Sequence, residues 1–248
     1  MTYTMTSIRL ITTFLACAVL SGCATQTFIT NSQKRWHPRE VYFQEINTDE
    51  LESKANNGDS QAKFYLAIRL MSGDRIQRDE IRAVDIIKDD AIAGEAPAQY
   101  LLGAALAAGT GISVNETEAI DWFRKSAEQG YVSGEYWYGF MLTRGRGVEV
   151  NWSEGLKWIR QAAEKGHEDA QFTIGEAFDS CRGGLPRDFE KAAMWYRRAD
   201  LSGRGHMGAR FNLRRLIDTG LTEWKEGDGG TPPIQLEKIP VSAVSGCD

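Results

Sequence analysis

Residues 98–130, AQYLLGAALAAGTGISVNETEAIDWFRKSAEQG, hold one complete unit of a pattern that recurs along the chain. Gly58, Gly94, Gly130 and Gly166 stand 36 residues apart three times running, and Ala62, Ala98, Gly134 and Ala170 follow them four residues later. A second glycine comes at Gly73, Gly109 and Gly145, with Cys181 in the same slot, and Asp79, Asn115, Asn151 and, one residue late, Asp188 open the next segment. Self-similarity at this period means stacked supersecondary units, none of which can bury its apolar face alone.

Each unit reads as two helices. Leu66, Leu102, Tyr138 and Ile174, then Leu70, Leu106, Leu142 and Phe178, fall four and eight residues after the small anchor, which places them on one buried stripe. The second helix carries Ala83, Ala119, Gly155 and Ala192, followed by Ile86, Trp122, Trp158 and Trp195. Asp or Asn at its start can accept orphan backbone donors, and the closing glycine can take the left-handed conformation of a C-cap. Small residues let the paired helices approach, and Trp is expected to fill the wider gap towards the next unit.

AQYLLG (98–103), GTGISVN (109–115), AIDWFRKSAEQG (119–130) and AAEKGHEDAQ (162–171) resemble Sel1-like repeats, relatives of the tetratricopeptide repeat. The resemblance covers roughly residues 58–215. It implies an all-α chain, an α/α solenoid of four to five helix pairs forming a superhelix with a concave groove. Ile86 departs from the usual Trp, and Arg75 from the usual second loop glycine. The last unit is longer, since Gly166 to Gly205 spans 39 residues. Atypical terminal units fit capping of an open stack.

The flanks specify location. An apolar run from Leu10 to Leu20 follows Arg9, too short for a bilayer span of roughly 20 residues but suited to a secretory signal. Leu20-Ser21-Gly22-Cys23 resembles a bacterial lipobox, which implies that residues 1–22 are a signal peptide and that Cys23 becomes a lipidated first residue. With Ala24 rather than Asp after it, the lipobox pattern implies the outer membrane, with the chain facing the periplasm. Residues 23–46 read as the lipidated cysteine and its tether, of which about 20 flexible residues span roughly 25 Å. Residues 47–219 form the solenoid and 220–248 an extended tail rich in Gly and Pro.

Removing the signal takes away only the cation Arg9, so the net charge moves from −5 to −6, which argues against nucleic acid. Residues 44–130 hold 16 acidic and 9 basic side chains, whereas residues 182–215 hold 3 and 9. Such a polarised array would steer and orient a partner of opposite arrangement. Cys181 and Cys247 form a possible disulfide, because an oxidising compartment lets an even pair join.

Catalysis finds little support. His167 and His206 each follow a unit-closing glycine and so share one structural slot, and His37 lies in the tether. Ser60-Gln61-Ala62-Lys63 matches the Ser-x-x-Lys pattern of penicillin-binding enzymes, but the Lys-Thr-Gly strand motif that completes such a site is missing. No catalytic residue, metal site or cofactor is assigned, and the chain reads as a non-enzyme.

Setting aside what the period requires leaves one face of each first helix. Three residues beyond the anchor it presents Tyr65, Leu101, Trp137 and Thr173; at seven and ten it adds Arg69, Met141 and Arg144, with Phe140 beside them. Aromatic, Met and Arg side chains are the types over-represented in interface hot spots. Trp152 and Tyr131 form a second, weaker patch near unit junctions. The expected function is a protein-binding scaffold. By analogy with lipoproteins bearing these repeats, it is most specifically an immunity protein against a type VI secretion phospholipase effector, with an assembly scaffold for envelope or exopolysaccharide secretion as the alternative.

Overall fold

The structure, a computed structural model, describes residues 46–201 and 206–223. Cys23, His37, Cys247 and the tail beyond Glu223 lie outside them. Ten α-helices and one short 3-10 turn make up the described residues: α1 (Thr48–Asn56), α2 (Ser60–Ser72), α3 (Glu80–Ala93), α4 (Ala96–Ala108), α5 (Glu116–Glu128), α6 (Val132–Arg144), α7 (Trp152–Glu164), α8 (Glu168–Asp179), the turn Arg182–Gly184, α9 (Phe189–Leu201) and α10 (Met207–Asp218). Each helix packs on the next in the chain. First helices of neighbouring units also pack on one another, α2 with α4, α4 with α6 and α8 with α10, whereas no two successive second helices are packed comparably. The first helices therefore form the inner wall.

Local chemistry sets the ends. Asp79, Asn115 and Asn151 accept from the backbone N–H three residues on, and Asp188 does the same for Lys191. The unit-closing glycines all have positive φ, from +78° to +106°, a conformation that side chains with a Cβ strain to adopt. Between the paired helices a Cβ on Gly139 would lie 2.6 Å from the Gly155 carbonyl oxygen, and one on Gly155 2.6 Å from Thr143 Cγ2, so α6 and α7 meet backbone to backbone. Tyr138 meets Trp158 edge-on at 5.5 Å, so this Trp closes its own helix pair, a correction to its expected place in the gap to the next unit.

Two contacts recur between and within units. The second loop of each unit rests on the start of the preceding second helix: Thr48 donates to the Arg75 carbonyl, a Cβ on Gly111 would strike the Glu80 carbonyl, and one on Gly147 that of Glu116. Arg75 keeps the left-handed φ of +60° that glycine adopts in the equivalent loops. At the ends of α5 and α7 a polar side chain reaches back to the first helix of the unit. Gln129 donates to Gln99 and the Gly94 carbonyl, and Lys165 pairs with Glu135 and the Gly130 carbonyl, an ion pair replacing an amide pair one unit later.

An aromatic ladder runs through the junctions. Tyr100 meets Tyr131, Tyr136 stacks on His167 at 4.5 Å and Phe172 on His206 at 4.3 Å, with ring planes 23° and 21° apart in the last two. The second ring of each pair sits at the N-cap of the following first helix, and His167 and His206 accept there from Ala170 and Ala209 N–H through Nδ1. Both histidines thus perform one structural task.

Candidate protein-binding cleft

The inner wall is not uniformly open. Tyr65 (6% exposed), Arg69 (4%), Leu101 (0%) and Met141 (0%) are buried, a correction to their expected place on a partner-facing row. Leu101 and Met141 belong to the core, because an inner helix is enclosed by its own partner, the preceding second helix and its inner neighbours. Arg69 turns inward, donating to the Ile46 carbonyl at 2.7 Å and to Thr48 Oγ1, and so pins the leading residues to α2. Burial pushes its guanidinium below its ordinary value, with Arg75 adding repulsion.

Trp137, Phe140, Arg144 and Thr173 remain open or half-buried. Phe140, Arg144 and Thr173 line one cleft between α6 and α8. The apolar core divides into two clusters at α6, with Met141 and Leu142 in one and Tyr136 in the other, and Trp137 packs against both. The cleft, of about 20 Å³, lies there, walled by Phe140, Thr143 and Arg144 from α6 and by Thr173, Glu176 and Ala177 from α8. Trp152, the first residue of α7, and Arg182 from the lengthened loop complete it.

Its wall mixes rings and charge. Trp137 stacks on Phe123 at 6.2 Å and meets Phe140 edge-on at 5.2 Å, so it props the wall from behind. Arg144 lies 5.3 Å from the Phe140 ring centre, a cation–π arrangement that holds the guanidinium at the rim. Thr173 donates to the Asp169 carbonyl. Burial pushes the Glu176 carboxyl above its ordinary value, against the pull of Arg182 and Arg144. A partly desolvated carboxylate can accept, and the two guanidiniums beside it can donate, charge-assisted hydrogen bonds to an entering polar segment.

Glu176 and Arg182 were missed in the sequence. Arg182 had a signal, since one of the three extra residues of the last unit falls in its loop, with Asp188 arriving one residue late. Glu176 had one too, standing six residues past the anchor where the other units carry Ile68, Ala104 and Phe140. Trp152 joins this cleft, but Tyr131 lies apart in a pocket beneath α2 and α4. Cys181 occupies a loop slot with left-handed φ of +56°, and Cys247, its expected disulfide partner, lies outside the described residues. Lys63 pairs with Asp90 at 2.6 Å, so the Ser60-x-x-Lys63 lysine is committed to holding α2 on α3. Among the described residues no cluster of metal ligands occurs, and no helix is long and apolar enough to cross a membrane.

Antiparallel helix pairs stacked through short glycine loops, with a cleft on the inner wall, define an α/α repeat solenoid of the tetratricopeptide-like class. The Sel1 repeat profile matches residues 60–85, 96–131, 132–167 and 169–199, and the chain belongs to the Sel1 repeat family. Proteins of this family act as protein-interaction scaffolds and are generally non-catalytic.

Among solved structures, a protective antigen present in uropathogenic Escherichia coli strains, displaying an SLR fold, is 30% identical with a TM-score of 0.62. The match covers 71% of this chain and 37% of that one. A Sel1 repeat protein from Oxalobacter formigenes is 27% identical with a TM-score of 0.62, covering 68% of this chain and 49% of that one. The chain therefore spans half or less of the length of these relatives. A Pseudomonas aeruginosa protein, 18% identical with a TM-score of 0.50, covers 88% of this chain and 71% of that one and shares the fold. No curated protein matches the chain.

Proposed function

We propose that this chain is a lipid-anchored periplasmic scaffold that holds another protein in the cleft between α6 and α8. The observation that carries the reading is the cleft on the inner wall, where Phe140, Arg144, Trp152, Glu176 and Arg182 converge. Arg and aromatic side chains at a desolvated centre are the usual anchors of an interface, each costing about 2 kcal/mol or more when truncated. The anchor is Cys23, lipidated at the outer membrane, and the partner is read by analogy with lipoproteins bearing these repeats. The role is that of an immunity protein neutralising a phospholipase effector of a type VI secretion system.

Its test is retention of partners from envelope extracts by the form starting after Cys23, beside Arg144→Ala/Phe140→Ala. Recovery of a lipase by the parent form and its loss by the variant support the reading. Recovery of polysaccharide-export components instead would transfer the cleft to an assembly role, and equal recovery by both forms would refute the cleft. Turnover of a peptidoglycan or β-lactam substrate by the purified chain would overturn the non-enzymatic reading.

A further inference from the structure

The aromatic ladder lacks one rung. Phe64, Tyr100, Tyr136 and Phe172 stand 36 residues apart on successive first helices. The N-cap residue of the following first helix meets the last three with a ring, Tyr131, His167 or His206, at centroid distances from 4.3 to 5.6 Å. Opposite Phe64 the same slot holds Glu95, which has no ring, makes no capping bond with its side chain and forms no ion pair among the described residues. Where the ring is missing a pocket of about 80 Å³ opens, lined by Phe64, Tyr65, Pro97, Tyr131 and Glu95.

We propose that this pocket receives the guanidinium of an arginine side chain carried by a partner polypeptide. Two of the three complete rungs, Tyr136–His167 and Phe172–His206, supply the geometry, a flat group lying against the aromatic side chain of the preceding unit. Glu95 supplies the charge, because a carboxylate at the mouth accepts two parallel N–H bonds from a guanidinium but none from a phenyl ring. Tyr65 and Tyr131 add aromatic walls of the kind that attract cations. The pocket also lies in the acidic part of the chain, residues 44–130 with 16 acidic and 9 basic side chains, a field that draws cations in. The N-terminus of α4 opposes a cation here, but its partial charge is smaller than the full charge of the carboxylate beside it.

This inference rests on the protein-binding reading for the existence of a partner, yet it is tested without one. The full chain in detergent micelles, labelled with 13C-methyl alanine, is titrated with blocked Gly-Gly-Arg-Gly-Gly and with its citrulline and phenylalanine counterparts, reading the Ala98 methyl that lines the pocket. The arginine peptide is expected to shift that methyl and to bind about tenfold more tightly than the neutral citrulline isostere. Glu95→Gln lowers arginine affinity by about the same factor. Glu95→His supplies the missing ring from the chain itself, abolishes peptide binding and raises Tm. Equal binding of arginine and citrulline peptides, preference for phenylalanine, or no shift with the arginine peptide overturns the assignment. If envelope partners are still retained through the cleft while the peptide fails, only the pocket proposal falls.

Discussion

Acid should weaken this array through His167, and the size of the effect follows from its setting. The imidazole is 5% exposed, stacks on Tyr136 and accepts the Ala170 N–H through Nδ1, which puts its proton on Nε2, a buried atom without a hydrogen-bond partner. Protonation must place a charge in that setting and turn the capping acceptor into a donor. Burial accordingly lowers its pKa from 6.5 to about 4, with Asp169 opposing. A depressed folded-state value means that the stabilisation is complete above the unfolded value of 6.5 and is lost as pH falls through 4. Between about pH 7.5 and about pH 4.5 the loss attributable to this one group is about 2.5 kcal/mol.

His167→Asn removes the titration while keeping an acceptor for the Ala170 N–H. Urea unfolding followed by circular dichroism at both pH values is expected to show the variant losing less stability on acidification, by roughly 2 kcal/mol, than the parent. Carboxylates titrate in both proteins and cancel in the difference. An identical pH loss in the two would refute the buried, neutral, capping His167.

Three further outcomes follow from packing, pairing and anchoring. Gly139→Ala puts a methyl 2.6 Å from the Gly155 carbonyl oxygen and 2.7 Å from Ile159 Cγ1, and should cost about 2 kcal/mol or more, seen in calorimetry as a Tm lowered by roughly 5 °C; an unchanged Tm would contradict the close approach of α6 and α7. Lys165→Met strands the buried Glu135 carboxylate and should cost about 3 kcal/mol, whereas Lys165→Gln with Glu135→Gln recreates the Gln129–Gln99 pair and recovers most of it; equal unfolding midpoints for the single and double variants would argue against the latch. Cys23→Ser should abolish palmitate labelling and release the protein from the membrane fraction, and retention there would remove the proposed anchor.

The period made the helices and loops legible because each unit repeats the same local demands. Asp79, Asn115 and Asn151 cap, the closing glycines turn, and Gly139 against Gly155 sets the helix approach, all within a few residues or one helix pair. Accessibility of the inner row was not legible from register alone. Leu101 shares the register position of Trp137, and Met141 lies one turn from Arg144 on the same row, yet their exposure depends on how the neighbouring helices close on them, a property of the whole stack. Register predicted a ligand-facing Arg69, and the leading residues bent it to the Ile46 carbonyl instead. The ladder Phe64, Tyr100, Tyr136 and Phe172 was present in the spacing, but its meaning appears only when the N-cap rings opposite are seen.

The central claim, that a partner is held in the cleft between α6 and α8, is tested most directly by reversing the charge of that cleft. Arg144→Glu with Arg182→Glu changes two rim side chains without touching the core, so circular dichroism should report an intact fold. Quantitative recovery of the envelope partner is expected to fall by tenfold or more, on the order of what loss of two desolvated charge contacts removes. Undiminished recovery by the folded double variant would contradict the account.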